Sequence, residues 1–267
     1  MDSLMEGMKG VILDIDGTLF RGDEPLVDLV ALFSLLNKKK LGYVVATNNT
    51  KSARSYQQKF KDHGLHLSTD HIFTCTDATA DYLKLHYPKG ADVFVIGKEA
   101  LKEEIAQRGF QILSGRERDA RVVVVGGDFD LTYEKLKNAV LHIQEGARLI
   151  GTNPDMLIPT EEGLVPEAGT TLAAIEAATG SHPIIIGKPE PILFEMAVAK
   201  MGLSPKEVIM IGDRLDTDIK GAKQAGLYSL LVETGVDSRK SVVEKGIHPY
   251  GIIANLDEFM KILKESR

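Results

Sequence analysis

GVILDIDGTLF, residues 10–20, decides how the rest of the chain is read. Val11, Ile12, Leu13 and Ile15 form an apolar run of the kind found inside a buried strand. Asp14 and Asp16 interrupt the end of that run, and Gly17 and Thr18 follow. Carboxylates beside an apolar core are costly unless something neutralises them. At an extended strand end, positions i and i+2 point to the same side with Cα atoms about 6 to 7 Å apart. The spacing therefore predicts a pair of acids on one side of a strand end. Gly17 would provide a sharp turn, and the Thr18 hydroxyl a cap for it.

Similar apolar runs recur along the chain: YVVAT, VFVIG, RVVVVGG, ARLIGT, PIIIG, VIMIG, YSLLV and YGIIA. Most end in Gly, Thr, Asn or Asp. Between them lie stretches of helical period near 25–40, 51–63, 98–108, 133–145, 169–179, 190–201 and 217–225. Continuous apolar strands alternating with amphipathic helices predict an α/β protein with a doubly wound parallel sheet. Pro- and Gly-containing polar stretches at HYPKGA (86–91) and ATGSHP (178–183) read as linkers. They divide the chain into a core of residues 1–82 and 182–267, and an inserted smaller α/β domain of residues 83–181.

In open parallel sheets, ligands bind beyond the carboxyl ends of the strands. Four such ends carry chemistry. The first holds Asp14 and Asp16; the second, VVATNNT, holds Thr47 and Asn48. The third, IIIGKPEP, holds Lys188, and the fourth, VIMIGDRLDTDIKGA, holds Asp213, Asp216 and Asp218. If the four strands are neighbours, these groups converge in one crevice. Several carboxylates cannot all ionise together without a cation, and one lysine is too little. Oxygen-only ligands with no His or Cys suit a hard ion such as Mg²⁺. Of Asp14 and Asp16, one could act as a nucleophile on a phosphate ester and the other as its general acid and base. Thr47 and Asn48 are expected where a helix begins, a natural phosphate site.

Other features point elsewhere or nowhere. The net charge of −6 argues against general nucleic-acid binding. The basic run Lys38-Lys39-Lys40 reads as a helix end before a glycine cap at Gly42. The lone Cys75 excludes an intrachain disulfide, suits a reducing compartment, and reads as a small buried hydrophobe. His63, His66 and His71 match no zinc spacing. No apolar stretch approaches a membrane span, and no signal peptide is evident, so a cytoplasmic protein is expected. The G-x-S-x-G, G-x-x-x-x-G-K-[ST] and G-x-G-x-x-G patterns are absent.

Together the four motifs resemble those of the haloacid dehalogenase superfamily, in the order DIDGT, Thr47, Lys188 and GDRLDTD. The stretches TNNT, VVGGDFDLTYEKL, GTNPD, AAIEAATGSHPIIIGKPEP and GDRLDTDIKGAKQAGL are similar to its subgroup IIA, the NagD-like and nitrophenyl-phosphatase-like members. Thr50 stands where serine is commoner. The resemblance implies a Rossmann-like core with an inserted cap that closes over the site and selects the leaving group. It implies Asp14 as nucleophile, Asp16 as general acid and base, and Thr47, Asn48 and Lys188 as holders of the phosphoryl group. Mg²⁺ would sit on the Asp14 carboxylate, the Asp16 carbonyl and Asp213, with Asp218 in support.

The second aspartate favours a phosphatase over a dehalogenase. The expected substrate is a small phosphorylated metabolite such as a sugar phosphate, with p-nitrophenyl phosphate as a surrogate. The alternatives are a phosphomutase acting on sugar phosphates, or a phosphatase of phosphoglycolate, nucleotides or pyridoxal phosphate. A non-catalytic binding protein is a third reading, disfavoured by the intact acids and Lys188. Thr152, Asn153 and Asp155 are candidate cap contacts, and the resemblance allows a homodimer through the cap.

Overall fold

The computed structural model describes residues 7–266. It divides into two compact units. The first comprises the described chain up to Thr47, residues 53–73, and the chain from Lys188 onward. The second comprises residues 48–52 and 74–187.

With strands numbered in chain order, the first unit is built on a six-stranded sheet. Its order is β15 (Gly251–Ile253), β14 (Tyr228–Val232), β13 (Val208–Gly212), β1 (Gly10–Leu13), β4 (Gly42–Thr47) and β5 (Ile72–Thr74). A short hairpin of β2 (Phe20–Arg21) and β3 (Glu24–Pro25) follows β1. All four residues of β1 are buried, as expected for a strand covered on both faces. Val11 and Leu13 pack with Leu32, Leu36, Phe259 and Leu263, which come from the helices Leu29–Lys38 and Leu256–Glu265. On the other face, Gly10 lies against Met201 at the end of the helix Pro191–Met201. The core strands expected from the sequence are present in parallel register, and the fold is α/β with a doubly wound parallel sheet.

The strand order fixes where a ligand can bind. From β1 the chain steps outward to β4 and β5, whereas β13, β14 and β15 extend from the other side of β1. The reversal lies between β1 and β13, and such switch points open a crevice at the carboxyl edge. Leu13 pairs with Ile211 on one side and Val45 on the other, so Asp14, Asp213 and Thr47 end adjacent strands.

The second unit has its own parallel sheet. The order is β12 (Ile184–Ile185), β9 (Arg148–Gly151), β8 (Val122–Val125), β6 (Asp92–Ile96) and β7 (Gln111–Leu113). An antiparallel hairpin of β10 (Leu157–Thr160) and β11 (Gly163–Pro166) completes it. The helices Tyr133–Gln144 and Ala168–Thr179 supply Ala139, Ile143, Leu172 and Ile175 to its core.

Three local expectations are corrected, and a fourth, the helix near 217–225, is present with an irregular first turn. The strand of IIIGKPEP is not a neighbour of the other three: Ile184 and Ile185 pair with β9 in the second unit's sheet. Ile186 and Gly187 continue the attachment by donating to the Gly151 and Thr152 carbonyls. The helix after β4 begins at Ala53, not at Thr47 or Asn48. The helix near 217–225 opens with a π-helical turn, Leu215–Ile219, before the α-helix Lys220–Gln224. After the helix Leu29–Lys38 it is Lys40, not Gly42, that takes the left-handed conformation, with φ 57°. Among the described residues, no helix is long and apolar enough to cross a membrane.

Candidate active site

β1 stops at Leu13, and the chain then turns. The Leu19 and Phe20 amides both donate to the Ile15 carbonyl, and the Gly17 amide donates to the Phe20 carbonyl at 2.7 Å. Gly17 has φ 87°, and a Cβ there would stand 2.3 Å from Asp213 Oδ2, so only glycine fits. The turn separates the two acids that an extended strand would have kept alike. Asp14 is buried, 6% exposed, whereas Asp16 is exposed. Thr18 does not cap the turn: its hydroxyl is buried without a hydrogen-bond partner among the described residues.

The carboxyl edge of the sheet gathers the rest. Lys188 is 2% exposed, and its ammonium lies 2.5 Å from Asp14 Oδ1, 2.6 Å from Asp218 Oδ1 and 3.2 Å from the Ala46 carbonyl. Asp218 projects from the π-helical turn and accepts the Arg214 amide at its other oxygen. Asp213 directly follows β13. Its Oδ2 accepts the Val236 amide at 2.7 Å, while Oδ1 is buried with no hydrogen-bond partner among the described residues. Gly235 lets that loop approach, since a Cβ there would stand 1.9 Å from Asp213 Oδ2.

One ammonium therefore faces three buried carboxylates, and the electrostatics reflect the imbalance. Burial raises the Asp14 pKa well above the ordinary carboxylate range. Lys188 opposes the rise, and Asp218 and Asp213 add to it. Burial and repulsion by Asp218 lift Asp213 to about 6. For Lys188, burial favours the neutral amine, but attraction to Asp14 and Asp218 outweighs it and holds the ammonium charged.

Asp14, Asp213 and Asp218 each offer an oxygen within 4.8 Å of the others, the one such group of potential metal ligands among the described residues. An orphaned carboxylate oxygen, an all-oxygen donor set and surplus negative charge fit a hard divalent cation. Asp218, expected only in support, is part of this group. Asp216 is not, and pairs instead with Lys245.

Thr47 is buried at the end of β4, in the same unit. Asn48 belongs to the second unit, where its amide donates to Asp155 Oδ2 at 3.1 Å. Asn153 is buried and donates to the Asn48 carbonyl, so Asn153 and Asp155 both anchor Asn48. Cys75 is buried and donates to the same carbonyl at 2.9 Å, and burial pushes its thiol up to about 12. His71 stacks on Tyr43 and His63 lies against Phe20, which leaves the histidine cluster a packing feature.

Sequence reasoning missed Asp237. It is buried, accepts the Leu215 amide, and sends its own amide to the Asp213 carbonyl. Its one sequence signal is an acid shortly after the apolar run YSLLV.

Comparison with known proteins shows the family. The sequence family described as haloacid dehalogenase-like hydrolase matches residues 11–111, and a HAD-hydrolase-like family matches residues 185–259. The 5'-nucleotidase YutF of Bacillus subtilis is 35% identical over 96% of this chain and 99% of its own length. An acid sugar phosphatase of Staphylococcus aureus is 34% identical, over 98% of this chain and all of its own length. The chain belongs to the haloacid dehalogenase superfamily. Among solved structures, the p-nitrophenyl phosphatase from Archaeoglobus fulgidus superposes with TM-score 0.89 at 30% identity, covering 96% of this chain and 99% of the other. This HAD protein is a phosphoric monoester hydrolase of the NagD-like and nitrophenyl-phosphatase-like branch.

Proposed function

We propose that this HAD phosphatase is Mg²⁺-dependent and hydrolyses small phosphorylated metabolites through an aspartyl-phosphate on Asp14. The observation that carries the proposal is the buried group of Asp14, Asp213 and Asp218 around Lys188, with Asp213 Oδ1 unpaired among the described residues. Asp14 and Asp213 would hold the ion by their side chains and Asp16 by its carbonyl, with Asp218 beside them. When bound, the ion supplies positive charge that keeps Asp14 ionised and draws electron density from the phosphoryl oxygens.

The chain's own groups do the rest. The Asp14 carboxylate attacks phosphorus, and the bond from phosphorus to the leaving oxygen breaks. Asp16, exposed where protons can be exchanged, gives its proton to that oxygen. Water then attacks the phosphorus of the acyl phosphate while Asp16 takes the water's proton. Inorganic phosphate departs and the Asp14 carboxylate is restored. Lys188 offsets the charge of the phosphoryl oxygens, and Thr47 and Asn48 orient them. The second unit is assigned the role of the inserted cap that selects the leaving group.

Names among the relatives suggest two substrate classes, 5'-nucleotides and sugar phosphates. The test is p-nitrophenyl phosphate hydrolysis with Mg²⁺ and then with EDTA, followed by a phosphate-release panel of both classes ranked by kcat/KM. Metal-dependent turnover supports the reading. Absence of metal-dependent turnover on every ester overturns it.

A further inference from the structure

We infer that Asp237, with Lys245, is a positioning residue that sets the geometry of the metal-binding carboxylates; this rests on the metal reading above. Asp213 and Asp218 come from two successive pieces of chain, the end of β13 and the π-helical turn Leu215–Ile219. Such a turn is irregular, and the amide at its start needs a partner from outside the helix. Asp237 supplies one for Leu215.

Asp237 touches both pieces. Its amide donates to the Asp213 carbonyl at 3.0 Å, next to the Val236 amide on Asp213 Oδ2. Its carboxylate accepts the amide of Leu215, the first residue of the π-helical turn, at 2.8 Å. One residue thereby ties the strand end that carries Asp213 to the turn that carries Asp218. Leu215 is fully buried, so the acceptor cannot be replaced by bulk water without rearrangement.

Lys245 completes the device. Its ammonium bridges Asp237, at 3.0 Å, and Asp216 of the same turn, at 2.5 Å. Asp237 is 4% exposed, and this partner compensates its charge. The bridge also holds the turn from its outer side, through the more exposed Asp216. The segment Thr234–Asp237 also reaches the first motif, because the Thr234 hydroxyl donates to the Gly17 carbonyl at 2.7 Å. Neither Asp237 nor Lys245 belongs to the group of three carboxylates, so their influence on an ion is indirect. Groups that orient metal ligands from behind typically contribute about 10- to 100-fold in metal affinity.

The experiment is Mg²⁺ binding by isothermal titration calorimetry to the metal-stripped full chain. It compares wild type, Asp237→Ala, Asp237→Asn, Lys245→Gln and Asp213→Asn. A core variant, Phe259→Leu, serves as a control for destabilisation. Asp237→Ala should weaken Mg²⁺ binding about 10-fold or more, and Lys245→Gln by less. Asp237→Asn keeps an acceptor for the Leu215 amide and should recover part of the loss. It also serves as the second variant if the alanine form does not fold. In turnover assays the apparent Mg²⁺ requirement should rise while KM for the ester at saturating Mg²⁺ stays within about 3-fold. Phe259→Leu should unfold earlier without weakening the metal.

If wild type binds Mg²⁺, Asp213→Asn does not, and both Asp237 variants bind as wild type, the positioning role fails while the metal site stands. The role also fails if Phe259→Leu weakens Mg²⁺ as much as Asp237→Ala does. If Asp213→Asn binds as tightly as wild type, or wild type shows no binding, the metal reading falls and this role falls with it.

Discussion

Lys188 Nζ lies 2.5 Å from Asp14 Oδ1, and the two residues are separated by 174 positions in the chain. The same ammonium holds Asp218 at 2.6 Å, so a single buried cation joins the segments that follow the adjacent strands β1 and β13. Lys188→Met would leave two buried carboxylates facing each other without compensation. Breaking a buried pair in this way costs about 3–5 kcal/mol. The metal-stripped variant should therefore lose stability on that scale in denaturant unfolding, and turnover should fall as well. A variant as stable as wild type would show that Lys188 does not neutralise the acids.

Asp14 is the proposed nucleophile. Asp14→Asn keeps its size and removes its charge, so covalent transfer to residue 14 should cease. Acid-quenched enzyme given radiolabelled phosphate ester should retain label in wild type and none in the variant, and steady-state turnover should drop to background. Wild-type labelling by the asparagine form would remove Asp14 from this role.

Asp16 is exposed, whereas Asp14 is buried, and that difference separates their expected phenotypes. Asp16→Asn should slow turnover by roughly 10² to 10⁴, the usual span for general acid–base catalysis. The loss should be greatest for esters with poor leaving groups and smallest for p-nitrophenyl phosphate, whose phenolate departs with little help. An equal loss across a series of leaving groups would argue that Asp16 acts on something other than the departing oxygen.

The parts of this fold legible in the sequence are those with local causes. β1, β4, β13, β14 and β15 announce themselves as apolar runs because both faces of a parallel sheet are covered. Asp14, Lys188, Asp213 and Asp218 stand out because charges beside such runs need a reason. What stayed hidden depends on pairing and turning. Ile184 and Ile185 look like any other apolar strand, and only tertiary contact decides that they join β9. Asp14 and Asp16 share a spacing, yet the turn closed on Ile15 and Gly17 buries one and exposes the other. The hairpin of β10 and β11 is short and largely exposed, so it lacks a clear alternation. Asp237 is one acid in a polar loop, and its importance lies in contacts to residues more than twenty positions away.

The imbalance of charge at the site also makes stability depend on pH. Asp213 has a pKa of about 6 in the folded protein, against an ordinary 3.8, chiefly because it is buried and secondly because Asp218 repels it. Between those values the folded state binds more protons at this carboxyl than the unfolded state does. Stability must then fall as pH rises through the window from about 4 to about 6, and the penalty is fully present above it. The gap is worth on the order of 3 kcal/mol. Asp213→Asn carries no such penalty. The metal-stripped asparagine variant should therefore gain on wild type by about that amount between pH 4 and pH 7, measured as unfolding free energies in urea. Mg²⁺ at pH 7 should restore wild type and leave the variant unchanged. A difference between the two proteins that stays flat across this range would mean that Asp213 is not held above its ordinary pKa.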